Sequence, residues 1–211
     1  MTVSFNLKTT LSVVVITKDE ENDLLGFLDN FMTIADEIVI IDDGSTDRTA
    51  EIALAAGDKV RFIVNPRGPS EGFCDQRQKG VEAARGEWLL QVDCDMRLTP
   101  DLACEIQQAI QENSISAYRF RLEQYFLNHR VRHGGFQYRN DPWLARRKAI
   151  ISWTQKVHER INLNCNSGQI GQLKNRMIHL TDINFTERLR KNFQYSHIEV
   201  DRLLAAGEKF A

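Results

Sequence analysis

Short apolar runs alternate with segments of helical periodicity over the first half of the sequence. The runs cover residues 11–17, 38–41, 59–64 and 87–93, and each has the length and β-branched character of a strand buried on both faces. The first intervening segment has the acidic stretch DEEND, residues 19–23, in the predicted opening turn of its helix. Strands and helices that alternate in this way form parallel sheets. The sequence therefore predicts an α/β fold with a mostly parallel central sheet and helices on both faces.

Carboxylates collect where these predicted strands end. They are Asp19 and Glu20 after the first strand, Asp42 and Asp43 after the second, and Asp93 and Asp95 after the fourth. Ligands of such sheets bind beyond the carboxyl ends of the strands, so the pattern indicates a binding site there. A D-x-D triplet by itself is also typical of a plain turn, here one that would cap the helix after Thr99.

Composition excludes several other classes of protein. The net charge is −2, which gives no basic field for binding nucleic acid. The four cysteines show no C-x-x-C spacing, and we interpret them as reduced thiols of a cytoplasmic protein. No secretory signal is visible at the N-terminus, and no apolar run approaches the roughly 20 residues of a membrane span.

The alternation weakens beyond Pro100. A helix is predicted with Pro100 near its start, followed by two longer polar strands in residues 115–128 and 134–147. Residues 152–164 are poorly periodic, residues 172–182 are expected to return a strand to the site, and a helix is predicted from residue 184 onward. No interdomain linker is apparent, so the sequence predicts a single domain over residues 1–211.

The ordered motifs of the first half resemble family-2 glycosyltransferases of the GT-A fold. The stretches are LSVVVITKDEE, IVIIDDGSTDRT and QRQKGVEAARGEWLLQVDCDMRL. The segments WLARR, VHERI and MIHLTD resemble more narrowly the bacterial subgroup related to lipopolysaccharide-core β-1,4-glucosyltransferases. This resemblance implies a GT-A-like fold with a nucleotide-sugar-binding half (residues 1–98), an acceptor and catalytic half (99–183) and a C-terminal helix (184–211).

The resemblance also implies a divalent metal site. Asp95 corresponds to the direct metal ligand of the family, and Asp93 to a contact with the sugar or with a metal-bound water. His179 in MIHLTD would be a third protein ligand, although a lone histidine is also common in a protein core, and Asp182 is a weaker candidate. Carboxylates suit Mg²⁺ or Mn²⁺, and imidazole is accepted by Mn²⁺.

Four residues are candidates for binding a UDP-sugar donor. By resemblance, Asp43 would accept a hydrogen bond from the base, while Thr17 and Glu20 lie where the family contacts base and ribose. Arg77 resembles a basic residue near the diphosphate or base. The alternatives are a turn aspartate for Asp43, a first-turn acid for Glu20 and an exposed helix arginine for Arg77. Asp42 is expected to support the loop.

Glu159, in VHERI, is the candidate catalytic base, because the family places an acidic base beside the acceptor at this point. The usual Glu-Asp pair is missing here, and a surface ion pair between Glu159 and Arg160 is the alternative. His158 would orient the base or the diphosphate. A positioned carboxylate is a common general base, and one base suffices when the reacting carbon inverts.

The expected function is therefore metal-assisted, inverting transfer of a sugar from a UDP-linked donor to a glycan or lipid-linked acceptor. A sugar-phosphate nucleotidyltransferase is one alternative, although ITKDEEND lacks the Gly-rich basic phosphate loop of that class. A catalytically inactive nucleotide-sugar-binding module is the other. Basic and aromatic residues of the C-terminal helix would touch the cytoplasmic face of the inner membrane, or form a solvated helix face. They are Arg188, Arg190, Lys191, Phe193 and Tyr195.

Overall fold

The structure, a computed structural model, describes residues 9–133, 140–155 and 159–181, together with residues 186, 189, 193, 196 and 200. The strands in this part of the chain are β1 (Leu11–Thr17), β2 (Glu37–Asp42), β3 (Val60–Val64), β4 (Trp88–Asp93), β5 (Met96–Arg97), β6 (Ala117–Phe126), β7 (His129–Arg130), β8 (Asn140–Arg146), β9 (Ile150–Thr154), β10 (Arg160–Leu163) and β11 (Ile170–Thr181). The helices are α1 (Leu24–Phe31), α2 (Thr49–Ala55), α3 (Phe73–Ala83) and α4 (Pro100–Ala109).

One large sheet with the order β3-β2-β1-β4-β8-β6-β11-β5 forms the centre of the described fold. The first four strands of this order are parallel, as the alternation of strands and helices predicts. Beyond β4 the sheet is mixed, because β8 runs antiparallel to both β4 and β6, whereas β6 and β11 are parallel. The α/β prediction is confirmed, and the parallel character belongs to the N-terminal half.

The parallel half is packed closely enough to require glycine at both Gly80 and Gly86. A Cβ atom at Gly80 of α3 would lie 2.2 Å from Val14 Cγ1 of β1, so α3 approaches the strand more closely than any side chain allows. The β-branched residues of β1 and β2 are almost completely buried beneath the helices. This contact fixes α3 firmly against the strands that carry the carboxylates.

The prediction that the acidic stretch opens the first helix is wrong, because α1 begins at Leu24. Asp19 has a φ of 54°, which a right-handed helix does not accommodate. Its Oδ1 accepts the N–H of Thr46 at 2.7 Å, and Asp47 Oδ2 accepts the N–H of Glu21 at 2.9 Å. These acids therefore connect the loop after β1 to the loop after β2.

The poorly periodic residues 152–164 contain most of a hairpin in which β9 and β10 are antiparallel. The short β5 pairs with the end of β11, with His179 opposite Met96. The C-terminal prediction is supported where residues are described, since Thr186, Leu189 and Val200 are all helical. Among the described residues, the structure contains no helix with the length and apolar character needed to traverse a membrane.

Candidate active site

The carboxyl ends of β1, β2 and β4 lie side by side at one edge of the sheet. The strand register pairs Thr17 with Asp42, and Ile16 with Asp93. Thr17 Oγ1 donates a 2.9 Å hydrogen bond to Asp42 Oδ1, and both residues are buried. Asp42 also accepts hydrogen bonds from the N–H and Oγ of Ser45. Asp42 therefore supports the turn after β2, as expected, and this turn presents the neighbouring Asp43.

The D-x-D triplet forms a three-residue cluster with His179. His179 Nε2 lies 3.1 Å from Asp95 Oδ2, and one potential ligand atom each from Asp93, Asp95 and His179 lie within 4.8 Å of one another. The pairing of β5 with β11 brings them together, and the N–H of Leu180 donates to the backbone oxygen of Asp95 at 2.9 Å. These residues were predicted to act together, and they are adjacent in the structure.

The donor set of this cluster fits a divalent cation. Asp95 Oδ1 is buried, and among the described residues it has no hydrogen-bond partner. Leaving a buried charged oxygen unsatisfied costs at least about 1–3 kcal/mol, and a cation would remove that cost. Two carboxylates and an imidazole are ligands that Mn²⁺ accepts, and the carboxylates also suit Mg²⁺.

Cys94, between the two aspartates, shows why the motif has its spacing. Cys94 is only 3% exposed, whereas Asp93 and Asp95 on either side belong to the cluster. Burial raises the pKa of the Cys94 thiol well above its usual range, and the charges of Glu20, Asp23 and Asp95 raise it further. The Cys94 side chain is therefore part of the core, and the cluster consists of Asp93, Asp95 and His179. The N–H of Glu20 donates to Thr49 Oγ1 at 2.8 Å, which holds the loop after β1 against the start of α2.

Arg77 of α3 connects the metal cluster to the candidate base. Its Nη2 donates to Asp93 Oδ1 at 2.5 Å, and its Nε lies 3.7 Å from Glu159 Oε1. The guanidinium carbon lies 5.1 Å from the ring centroid of Trp143 and 5.3 Å from that of Trp153. Arg77 is 3% exposed, so the exposed-arginine alternative is wrong.

The carboxylate neighbours of Arg77 stabilise its positive charge. Burial alone would lower the pKa of the guanidinium, but the carboxylates of Asp93 and Glu159 outweigh this effect and raise the pKa. Arg77 is thus a permanent cation that two carboxylates stabilise in an apolar setting. Breaking such a buried pair by removing one partner is strongly destabilising. We therefore interpret the three side chains as one electrostatic unit.

Glu159 is brought to the site by the β9–β10 hairpin. It lies directly before β10, and its side chain is 9% exposed. The alternative of a surface ion pair with Arg160 is wrong, because Glu159 faces Arg77 while Arg160 is exposed. His158 and Asp182, the two weaker candidates, lie outside the described residues.

Asp43 is held by a residue that sequence reasoning missed. The N–H of Arg67 donates to Asp43 Oδ1 at 2.6 Å, and Arg67 Nε donates to Oδ2 at 2.8 Å. The guanidinium also lies 4.4 Å from the ring centroid of Phe73. The signal available in the sequence was only a Pro- and Gly-rich loop, NPRGPSEG. Trp143 and Trp153 were likewise not predicted to enclose Arg77, because their contact depends on the packing of α3 against β8 and β9.

Comparison with known proteins agrees with this architecture. Residues 12–169 match the family described as Glycosyl transferase family 2. The lipopolysaccharide core biosynthesis glycosyltransferase LpsC of Rhizobium meliloti is 29% identical over 210 residues, which are 96% of this chain and 74% of that protein. An uncharacterized glycosyltransferase of Rickettsia typhi is 31% identical over 108 residues, which are 51% of this chain and 35% of that protein.

A solved structure shows the same fold. S. aureus TarS, residues 1–349, in complex with UDP-GlcNAc superimposes with a TM-score of 0.58 at 19% identity. The match covers 82% of this chain and 59% of that one, so the chain spans less than two thirds of TarS 1–349 and about a third of the rickettsial relative. The family match favours a glycosyltransferase over a nucleotidyltransferase or an inactive binding module. The chain belongs to glycosyl transferase family 2, and it is a glycosyltransferase of the GT-A fold.

Proposed function

We propose that the protein is an inverting, metal-assisted glycosyltransferase that moves a sugar from a UDP-linked donor to a glycan or lipid-linked acceptor. One observation carries this proposal: Arg77 contacts both Asp93 of the metal-type cluster and Glu159 of the β9–β10 hairpin. Asp93 is suited to the leaving-group side of the reaction and Glu159 to the acceptor side. Both carboxylates therefore contact the same buried cation, Arg77.

The donor would lie along the carboxyl ends of β1, β2 and β4. Asp43 would accept the imide N–H of uracil, because Arg67 orients its carboxylate while free lone pairs remain on both oxygens. Thr17, the last residue of β1, accepts the N–H of Asp43 at its backbone oxygen at 2.9 Å, and Glu20 lies in the loop after β1. The family membership supports a nucleotide-sugar donor, and TarS in complex with UDP-GlcNAc supports the general placement of such a donor in this fold.

Asp95 and His179 would hold Mn²⁺ or Mg²⁺, with Asp93 contributing directly or through a water. When bound, the cation supplies charge neutralisation of the departing diphosphate. Arg77 is nearly inaccessible, and its guanidinium lies against the carboxylates of Asp93 and Glu159. We therefore assign it to the orientation of Asp93 and Glu159 rather than to direct contact with the diphosphate that the family resemblance implies.

Glu159 would remove the proton of the acceptor. The acceptor hydroxyl oxygen forms a bond to the anomeric carbon, and the bond from that carbon to the diphosphate oxygen breaks. The hydroxyl proton passes to a Glu159 carboxylate oxygen, and UDP leaves with the bonding electron pair. A single displacement inverts the anomeric carbon and requires no covalent enzyme intermediate.

The relative that matches along almost the whole chain supports the proposed acceptor class. LpsC is a lipopolysaccharide core biosynthesis glycosyltransferase, which supports a role in cell-envelope glycan assembly. We place this activity in the cytoplasm, at the cytoplasmic face of the inner membrane. The exposed side chains of Leu189, Phe193 and Val200 on the C-terminal helix support a peripheral membrane contact there.

Thermal stability in the presence of UDP tests the donor and metal assignments together. At a hundredfold excess over Kd, we expect UDP with Mn²⁺ to raise the Tm by about 5 °C or more. With EDTA, the rise should be much smaller. Asp95→Asn should behave in both conditions like the wild-type protein in EDTA, because it removes the oxygen charge that holds the cation.

The matched control is Asp101→Asn, which removes an exposed carboxylate from the first turn of α4. It should retain the metal-dependent rise. If UDP raises the Tm of the wild-type protein equally with Mn²⁺ and with EDTA, the donor site as described is wrong.

A further inference from the structure

The turn that carries Asp95 is held by hydrogen bonds to three consecutive backbone oxygens. Arg97 Nη1 donates to the oxygen of Cys94 at 2.7 Å and to that of Met96 at 2.8 Å. The N–H of Leu180 donates to the oxygen of Asp95 itself at 2.9 Å. The chain is therefore fixed on both sides of Asp95 by one guanidinium, and at Asp95 by β11.

Arg97 connects this turn to helix α1. Its Nη2 donates to the backbone oxygen of Asp23 at 3.0 Å and lies 3.4 Å from Asp23 Oδ1. Next along the chain, the N–H of Leu98 donates to Asn30 Oδ1 at 2.7 Å, and Asn30 Nδ2 donates to the oxygen of Leu98 at 3.2 Å. The helix is a firm support for both contacts, because its core-facing residues are at most 2% exposed. They are Leu24, Phe27, Leu28 and Phe31.

The side chain of Asp95 needs such support. Its Oδ1 is buried and has no hydrogen-bond partner among the described residues, while Oδ2 lies 3.1 Å from His179 Nε2. A turn that could shift would allow the carboxylate to reach water, since an unsatisfied buried oxygen raises the free energy of the fold. Holding the backbone keeps the carboxylate beside His179, in the arrangement that suits a cation.

The charge of Arg97 does not explain its place two residues from a candidate cation site. A positive side chain repels a divalent metal ion, and the ion pair with Asp23 reduces that repulsion without reversing it. The guanidinium suits this place by its shape, because its planar fork of N–H groups reaches several oxygens in a fixed geometry. Any benefit of Arg97 to metal binding is therefore geometric.

We propose that Arg97 is a positioning residue of the metal site, which holds the turn so that Asp95 and His179 meet the same cation. This role depends on the proposed function of Asp95 as a metal ligand. Arg97 acts through the backbone on either side of Asp95 and not by touching the cation. Groups that orient metal ligands typically change metal affinity about 10–100-fold when they are removed.

Binding of Mn²⁺ at a fixed concentration of UDP tests this role without turnover, since the electron paramagnetic resonance signal of free Mn²⁺ gives the Kd. We expect Arg97→Met, shown to be folded by circular dichroism, to weaken Mn²⁺ binding at least about tenfold. Electrostatics alone predicts the opposite, because the variant removes a positive charge near the cation. Arg97→Lys keeps the charge but lacks the planar fork, so it should bind at least about threefold more weakly than the wild type.

The matched control is Arg61→Met, near the amino ends of β2 and β3. Arg61 Nη1 also donates to one carboxylate and one backbone oxygen, at 2.8 Å to Glu37 Oε1 and at 2.6 Å to the oxygen of Ala83. This variant loses comparable contacts at the end of the strands away from the cluster. It should therefore bind Mn²⁺ like the wild type.

The remaining outcomes separate the role of Arg97 from the metal site itself. Wild-type affinity in Arg97→Met or Arg97→Lys, or equal weakening by Arg61→Met, overturns the role of Arg97 while the proposed metal site stands. If the wild-type protein binds no Mn²⁺ beyond the amount that UDP alone binds, the proposed metal site is wrong and so is the role of Arg97. If Arg97→Met fails to fold, the comparison of Arg97→Lys with Arg61→Met decides by the same criteria.

Discussion

The parallel half of the sheet and the mixed half place their functional residues in different ways. In the parallel half, Thr17, Asp42 and Asp93 reach one edge because neighbouring strands run in the same direction with a fixed register. In the mixed half, His179 reaches Asp95 through the short β5–β11 pairing, and Glu159 arrives from a separate hairpin. The residues that the parallel half contributes to the site come from successive strands. Those of the mixed half require contacts between distant parts of the chain.

This difference suggests that the two halves of the sheet serve different steps, nucleotide binding and turnover. The parallel half holds the candidate nucleotide contacts, whereas the mixed half holds the candidate base. Arg77 joins the two, since it is anchored on α3 and contacts both Asp93 and Glu159. If the division is real, substitutions in the two halves should separate nucleotide binding from turnover.

The largest expected effect comes from Glu159→Gln in the mixed half. Loss of the general base should lower kcat by about 10²–10⁴, while the Kd for UDP should change by less than about threefold, because the donor contacts remain. Steady-state kinetics and UDP titration measure the two quantities. Glu82→Gln, on the exposed face of α3, is the control and should match the wild-type enzyme. A collapse of UDP binding would show that Glu159 is not the base.

A smaller effect is expected from Gly80→Ala in the parallel half. The added Cβ meets Val14 at 2.2 Å, and overpacking of this kind costs about 1–3 kcal/mol of the free energy of unfolding. The control is Gly168→Ala in the mixed half, where no atom lies within 4 Å of the new Cβ. Urea denaturation compares the two variants. Equal stabilities would contradict the close contact of α3 with β1 at Gly80.

The smallest effect is expected from Arg67→Ala. Asp43 would lose the hydrogen bond from Nε but keep the one from the Arg67 N–H. One hydrogen bond to a charged group contributes about 1.5–3 kcal/mol. Only the part of this energy that orients Asp43 affects the donor, so the Kd for UDP should rise about threefold to tenfold while kcat is retained. Arg48→Ala, which removes an exposed pair with Glu51, serves for comparison. If the Kd for UDP is unchanged, neither Arg67 nor the orientation that it gives to Asp43 contributes to recognition of the base.

Sequence reasoning succeeded where local pattern and strand direction suffice. The apolar runs and their helical connections predict parallel strands, and parallel strands bring Asp43, Asp93 and Asp95 to a common edge. Sequence reasoning failed at the loop after β1, where the acidic stretch of residues 19–23 has the composition of a helical first turn. There Asp19 instead adopts a positive φ and accepts the N–H of Thr46, a long-range contact that residue periodicity does not encode.

The sequence by itself determined the fold class, the family motifs and the identity of the acidic residues at the site, because hydrophobic periodicity and residue order are local properties. Only the tertiary structure decided which partners those residues have. It encloses Arg77 between two tryptophans and two carboxylates, and it pairs Asp43 with Arg67. The physical reason is that burial and pairing of charges depend on which surfaces meet when the sheet closes, and spacing along the chain does not specify those contacts.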